Sequence, residues 1–128
     1  MREGAIIFII IVIIILGSIY IDKYLDKTID CIKSNLEELK ESIKYTNTSQ
    51  EELSKKAEET YKIWSKINGN WSNIILHEEI DAFEISLIRA KAKIDTGKLE
   101  ESLEDIDTSI FLVNHIKEKE RISLKNIF

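Results

Sequence analysis

Hydrophobic residues form one unbroken run near the start of the chain and periodic stripes after it. The run extends from Gly4 to Ile21, and residues 5–16 are all Ala, Ile, Phe, Val or Leu. A helix of this length spans about 27 Å, close to the hydrocarbon thickness of a bilayer. The chain after Ile21 is charged and too polar to enter a bilayer. The pattern predicts an N-terminal transmembrane anchor, residues 1–21, and a polar domain, residues 22–128.

The stripes beyond the run predict four helices, at about residues 22–45, 49–68, 70–95 and 98–119. Their apolar residues recur at alternating steps of four and three, the spacing that turns one face of a helix toward a core. Turns are expected at Asn68-Gly69-Asn70 and at Thr96-Gly97, because glycine ends helices and asparagine begins them. Short turns make neighbouring helices antiparallel. The predicted fold is all-α: a transmembrane helix followed by an antiparallel up-down helical bundle.

The first of these helices carries a strict heptad seam between residues 25 and 43. Its members are Leu25, Ile29, Ile32, Leu36, Leu39 and Ile43. A narrow seam of this kind also suits a coiled coil. Two alternatives therefore stay open beside the four-helix bundle: a three-helix domain on a separate stalk, and a homo-oligomer joined through residues 25–43.

The third helix is apolar on two sides, and the chain ends in an apolar tail. The main stripe is Leu76, Ile80, Phe83, Leu87, Ala90 and Ile94, and the opposite side holds Trp71, Ile74, Ile85 and Ala92. A helix with two apolar sides is covered on both, so this helix is expected at the centre of the bundle. The tail, residues 122–128, is expected to dock against the bundle.

The hydrophobic run is interpreted as an uncleaved anchor. Only Gly17 and Ser18 offer a small-residue cleavage site, so a signal peptide cleaved before Ser18 is the alternative. Three lysines follow the run, at positions 23, 27 and 33, and one arginine precedes it, which favours a cytoplasmic domain. Aspartates interleave with those lysines. The charges therefore leave the orientation ambiguous.

Composition excludes several classes of function. The 128 residues carry a net charge of −5, which argues against binding to nucleic acid. Cys31 is the single cysteine, so an internal disulfide framework and a Cys-rich zinc site are excluded. Its expected state is a free surface thiol, with an intermolecular disulfide as the alternative.

Five features stand out together: the N-terminal span, Trp64, the block His77–Asp81, the block Ile85–Arg89 and the closing segment Ile122–Phe128. Together they resemble an uncharacterised family of small membrane-anchored helical proteins from spore-forming Gram-positive bacteria, the domain of unknown function DUF 4363. The resemblance implies an N-terminal anchor and a helical domain outside the cytoplasm. It implies no known activity, cofactor or catalytic residue.

His77, Glu78 and Asp81 come closest to a catalytic motif. In H-E-x-x-H, two histidines hold zinc and the glutamate acts as a base. Here Asp81 replaces the second histidine, and His115 would have to supply a further ligand. This is the basis of the alternative function, a metal-dependent hydrolase or metal-binding sensor. The simpler interpretation is a hydrogen bond between His77 and Asp81, and we expect no metal or other cofactor.

Five residues, with His77, are candidates for an interaction site. Glu78, Asp81 and Arg89 share the second face of the third helix, either as a buried polar cluster that recognises a partner or as a surface ion pair. Trp64 and Trp71 flank the first predicted turn. They either frame a ligand pocket or belong to the core, and a tryptophan at a stripe position favours the core.

The expected function is non-catalytic. The chain is interpreted as a single-pass, membrane-tethered helical domain outside the cytoplasm, an accessory or partner-binding subunit at the cell envelope. Its expected partners are the membrane and a membrane protein, with no nucleic acid, and we expect no enzyme activity.

Overall fold

The computed structural model describes the backbone of residues 1–127 and the side chains of residues 1–120. Four helices make up almost all of this part of the chain: α1 (Arg2–Lys44), α2 (Gln50–Trp71), α3 (His77–Asp95) and α4 (Leu99–Ile127). The described residues contain no β-strand. The all-α prediction is confirmed.

The helices form an antiparallel cycle in which each contacts two neighbours. α1 and α3 each contact both α2 and α4. Two ion pairs show the antiparallel course of α1 and α4, because Lys40 pairs with Asp107 while Asp30 pairs with Lys117. The C-terminal half of α1 is thus one of the four helices of the bundle. The alternative of a three-helix domain on a separate stalk is excluded.

α1 is a single helix of 43 residues that passes through two environments. Residues 2–20 are exposed over nearly their whole length, whereas Leu25, Ile29, Ile32, Leu36 and Leu39 are buried among α2 and α4. Within the described residues, α1 is the one helix long and apolar enough to cross a membrane, judged by length and composition. The heptad seam faces the core of its own bundle. Homo-oligomerisation stays a prediction, and it would require a surface other than this seam.

Two of the helix ends are each set by a single residue. Ser49 caps α2, since its side-chain oxygen accepts a hydrogen bond from the backbone N–H of Glu52 at 3.2 Å. Gly97 follows α3 with a φ of 78°. The backbone N–H of Lys98 donates to the carbonyl of Lys93 at 2.8 Å, the long bond of a Schellman motif. The turn at Gly97 is confirmed.

The α2–α3 turn lies at residues 72–76, not at the predicted 68–70. Trp71 explains the difference, because it continues the buried face of α2 one turn beyond Ile67 and is itself fully buried. Burying a large aromatic side chain contributes more than the roughly 1 kcal/mol that a glycine costs inside a helix. The helix therefore continues through Gly69 and Asn70.

α3 lies at a corner of the bundle, so the expectation that it is central and covered on both sides was wrong. Its main stripe is buried from Ile80 to Ile94, but Ile85 and Ile88 on the other side are 51% and 46% exposed. The charged side chains on that side, Asp81 and Arg89, are exposed as well. Their hydration keeps this face in water.

α4 continues to Ile127 and does not end near residue 119. The chain has no proline, and no glycine follows Gly97, so no residue after that turn interrupts a helix. Among the described side chains, the buried face of α4 consists of Ser102, Ile106, Ser109, Val113 and Ile116. The apolar spacing of Leu99, Leu103, Ile106, Ile110 and Val113 predicts a face that is rotated from it. The predicted docking of residues 122–128 concerns side chains outside the described residues.

The two glycines of the bundle, Gly69 and Gly97, give a matched pair of tests. Gly97→Ala should lower the free energy of unfolding by about 1–2 kcal/mol, because its backbone is left-handed. Gly69→Ala should raise it by about 0.5–1 kcal/mol, because Gly69 is helical and an added Cβ meets nothing within 4 Å. Urea unfolding of the detergent-solubilised chain, followed by circular dichroism, measures both. Shifts of the same sign would contradict the assignment of Gly97 as a helix-ending residue.

Candidate functional site

Three aromatic side chains fill the interior where α2 meets α3. The Trp64 ring lies 5.4 Å from the Trp71 ring and 4.7 Å from the Phe83 ring, both in edge-to-face arrangements. All three side chains are fully buried. The structure places Trp64 and Trp71 on the same helix, α2, and not on either side of a turn. Both lie in the core of the bundle, so neither lines an open pocket among the described residues.

Each indole of this cluster has a hydrogen-bond partner on another helix. The Trp71 Nε1 donates to Thr28 Oγ1 of α1 at 2.9 Å, and the Trp64 Nε1 donates to Glu84 Oε1 of α3 at 3.2 Å. Thr28 Oγ1 in turn donates to the carbonyl of Tyr24 at 2.9 Å. A buried N–H without a partner is costly, so these bonds fix how α1, α2 and α3 sit against one another.

The other candidate residues lie on the surface of α3. His77, Glu78, Asp81 and Arg89 are all exposed. Among the described side chains, none of the four takes part in an ion pair. The hypothesis of a buried polar cluster was wrong, because the face that carries Glu78, Asp81 and Arg89 is not covered by another helix.

His115 lies on α4, exposed and stacked on Phe111 with ring centroids 6.2 Å apart. In the part of the chain that the structure describes, no group of three or more His, Cys, Asp or Glu side chains could hold a metal ion. His77, Asp81 and His115 are therefore not brought together as a metal site.

Glu79, which the sequence reasoning did not single out, links α3 to α4. Its Oε1 pairs with Lys119 Nζ at 2.8 Å, and its Oε2 is buried with no hydrogen-bond partner among the described residues. Desolvation and then the nearby Glu79 carboxylate raise the pKa of Glu120. The hydrogen bond to Glu79 raises the pKa of Lys119. Glu79 is thus the acidic centre of the α3–α4 contact near the start of α3.

Buried serines also escaped the sequence reasoning. Ser86 and Ser109 hydrogen-bond across the α3–α4 contact at 2.7 Å, and Ser102, about two turns before Ser109 in α4, is fully buried. Such small side chains let two helices approach closely. The sequence signal for this buried face was the spacing of positions 102, 106, 109, 113 and 116, at alternating steps of four and three. A second, more apolar stripe in α4 has the same kind of spacing, so the signal was not decisive.

An open cleft lies at the end of the bundle that adjoins the last residues of the hydrophobic run. It has a volume of about 270 Å³ and is lined by Tyr20, Tyr24, Asn70, Asn73 and Ile74. Asn70 Nδ2 donates to the Tyr24 hydroxyl at 3.0 Å, which joins the last turn of α2 to α1. We call this end, with the cleft and the α2–α3 turn, the base of the bundle.

These features define a class of protein, a four-helix bundle whose first helix is extended by a candidate membrane span. More particularly, the chain belongs to the family described as "Domain of unknown function (DUF4363)", whose model matches residues 19–127. The match begins near the end of the hydrophobic run and covers the whole bundle, and it confirms the family resemblance. No curated protein and no solved structure was found to match the chain.

The Thr28–Trp71 hydrogen bond gives a test of how the base is held. Thr28→Val keeps the shape of the side chain but leaves the buried Trp71 N–H without its acceptor, so it should lower the free energy of unfolding by about 1–3 kcal/mol. Thr108→Val is the control, because Thr108 is exposed and bonds within its own helix to Glu104. Urea unfolding monitored by tryptophan fluorescence measures both. Equal effects of the two variants would show that the bond does not hold α2 against α1.

Proposed function

We propose that this protein is a non-catalytic, membrane-tethered helical domain that acts as an accessory or partner-binding subunit at the cell envelope. The observation that carries the proposal is the division of α1. One uninterrupted helix presents an apolar surface on all sides over residues 5–16 and a single buried seam from Leu25 onward. A tether and a folded domain are thereby built on the same element.

The exposed half of α1 supports the tether. Its large side chains are exposed, with Ile10 at 51% and Leu16 at 61%. Soluble monomers rarely expose a continuous apolar patch of this extent. A hydrocarbon solvent accommodates such a surface, because a helix satisfies its own backbone hydrogen bonds.

The bundle supports a binding role over a catalytic one. Its interior near α2 and α3 is filled by Trp64, Trp71 and Phe83, while the outer face of α3 presents Ile85 and Ile88 to solvent between charged residues. Apolar side chains rimmed by charges are typical of protein–protein contact surfaces. The proposed partner is a membrane protein that reaches the outer face of α3.

In this proposal the domain lies outside the cytoplasm, as the family resemblance implies and against the count of lysines after the run. Alkaline phosphatase fused after Phe128 should be active, because it folds only outside the cytoplasm. The fusion should also stay in the membrane pellet after alkaline extraction, since α1 spans the bilayer.

Two controls accompany this experiment. A fluorescent protein that matures only in the cytoplasm, fused at the same site, should stay dark, and the double variant Ile9→Lys, Ile13→Lys should release the chain from the pellet. Fluorescence with an inactive phosphatase would reverse the orientation. Release of the unmodified chain by alkaline extraction would overturn the tether.

A further inference from the structure

We propose that the α2–α3 turn, residues 72–76, is a second membrane-contacting surface that rests on the headgroup region of the bilayer crossed by α1. The inference rests on the tether of the proposed function and goes beyond it. It makes the bundle a domain with a fixed base on the lipid surface and not one that swings freely from its anchor.

The position of the turn follows from two hydrogen bonds and the direction of α2. Trp71 donates to Thr28 and Asn70 donates to Tyr24, so the last turn of α2 lies level with residues 24–28 of α1. α2 runs antiparallel to α1, so the residues after Trp71 continue toward the hydrophobic run. Asn73 and Ile74 accordingly line the same cleft as Tyr20.

This level coincides with the edge of the predicted span. The run ends at Ile21, and Tyr24 lies three residues further on, about 4.5 Å along the helix axis. The headgroup region on each side of a bilayer is about 5–8 Å thick. Tyr20 and Tyr24 are the residue type that favours this region. A turn level with them lies within the headgroups when α1 spans the membrane.

The composition of the turn fits that environment. The ten residues Ile67–Leu76 contain no charged side chain, in a chain where 32% of residues are charged. Leu76, the last residue before α3, is 60% exposed, and Ile74 is half-buried beside the cleft. The turn therefore presents apolar surface at the base of the bundle.

The opposite end of the bundle has a different character. The α1–α2 loop consists of Tyr45, Thr46, Asn47, Thr48 and Ser49, and the α3–α4 turn is flanked by Asp95 and Lys98. Both are polar, as a tip in water requires. Position 45 lies 21 residues beyond Tyr24 on α1, about 31 Å further from the bilayer. Among the connections whose side chains the structure describes, the α2–α3 turn thus combines a lack of charge with an exposed aliphatic side chain at membrane height.

Depth-dependent fluorescence quenching tests the contact in the full-length chain. Cys31→Ser removes the single native thiol, which is exposed. An environment-sensitive fluorophore is then attached to Leu76→Cys, to Tyr45→Cys at the distal tip, or to Ile13→Cys in the run. Each labelled chain is reconstituted into vesicles of phosphatidylglycerol and phosphatidylethanolamine, with or without lipids that carry a quencher near the headgroup or deep in the acyl chain.

The shallow quencher should reduce the fluorescence of the probe at position 76 severalfold more than that of the probe at position 45. The deep quencher should act on position 13. Asn73→Cys, a second position in the turn, should behave like position 76, and circular dichroism should be unchanged because Leu76 and Tyr45 are both exposed.

Equal quenching at positions 76 and 45, with position 13 quenched, would overturn the surface contact and leave the tether intact. An absence of quenching at position 13 would overturn the tether of the proposed function, and this inference with it.

Discussion

The backbone hydrogen bonds of α1 run without a break from Arg2 to Lys44, and the placement of everything else depends on that continuity. A helix satisfies its own peptide groups in lipid and in water alike, so one rod can pass from one solvent to the other without a joint. Gly17 and Ser18 lie inside this rod, and Ser18 donates to the carbonyl of Ile14 at 2.9 Å. In the proposed arrangement, the position of the bilayer edge along α1 therefore sets the height of the whole bundle.

The base of the bundle is held to this rod by specific bonds as well as by burial. Thr28 receives the Trp71 N–H, and Tyr24 receives the Asn70 amide. Burial alone lets helices slide by small amounts, whereas a buried hydrogen bond fixes one register. The edge-to-face contact between Trp64 and Phe83 in turn holds α3 in a fixed position against α2. In the proposed arrangement, the exposed outer face of α3 is thereby held in a fixed relation to the membrane, as a subunit that meets a membrane-bound partner requires.

Much of the fold could be predicted because apolar spacing records burial directly. The seam of α1 is buried from Leu25 to Leu39, as its spacing indicated. The end of α3 was predicted because one residue, Gly97, decides it. The α2–α3 turn was misplaced because Asn68-Gly69-Asn70 is a local signal. Trp71 is buried with its N–H group bonded to Thr28 of α1, which is remote in sequence.

The candidate site was harder to predict for the same reason. A heptad plot shows which residues share a face, but it does not show whether another helix covers that face. Ile85 was therefore expected to be covered by another helix and is exposed; for Arg89 a buried and a surface position had both been open, and it is exposed. The partner of Glu79 is Lys119, forty positions along the chain, and no local pattern indicates that pair. In α4 two stripes compete, and the serine-containing one faces the core because its small side chains allow α3 to come close.

The central claim is that α1 is one continuous helix from the membrane into the bundle. Hydrogen–deuterium exchange of the full chain in lipid nanodiscs, read at the amides of residues 17–28, tests it most directly. A continuous helix predicts slow exchange across this whole segment, with no gap between the span and the buried seam. A fast-exchanging stretch between Gly17 and Tyr24, flanked by slow exchange on both sides, would show a flexible joint and contradict the account.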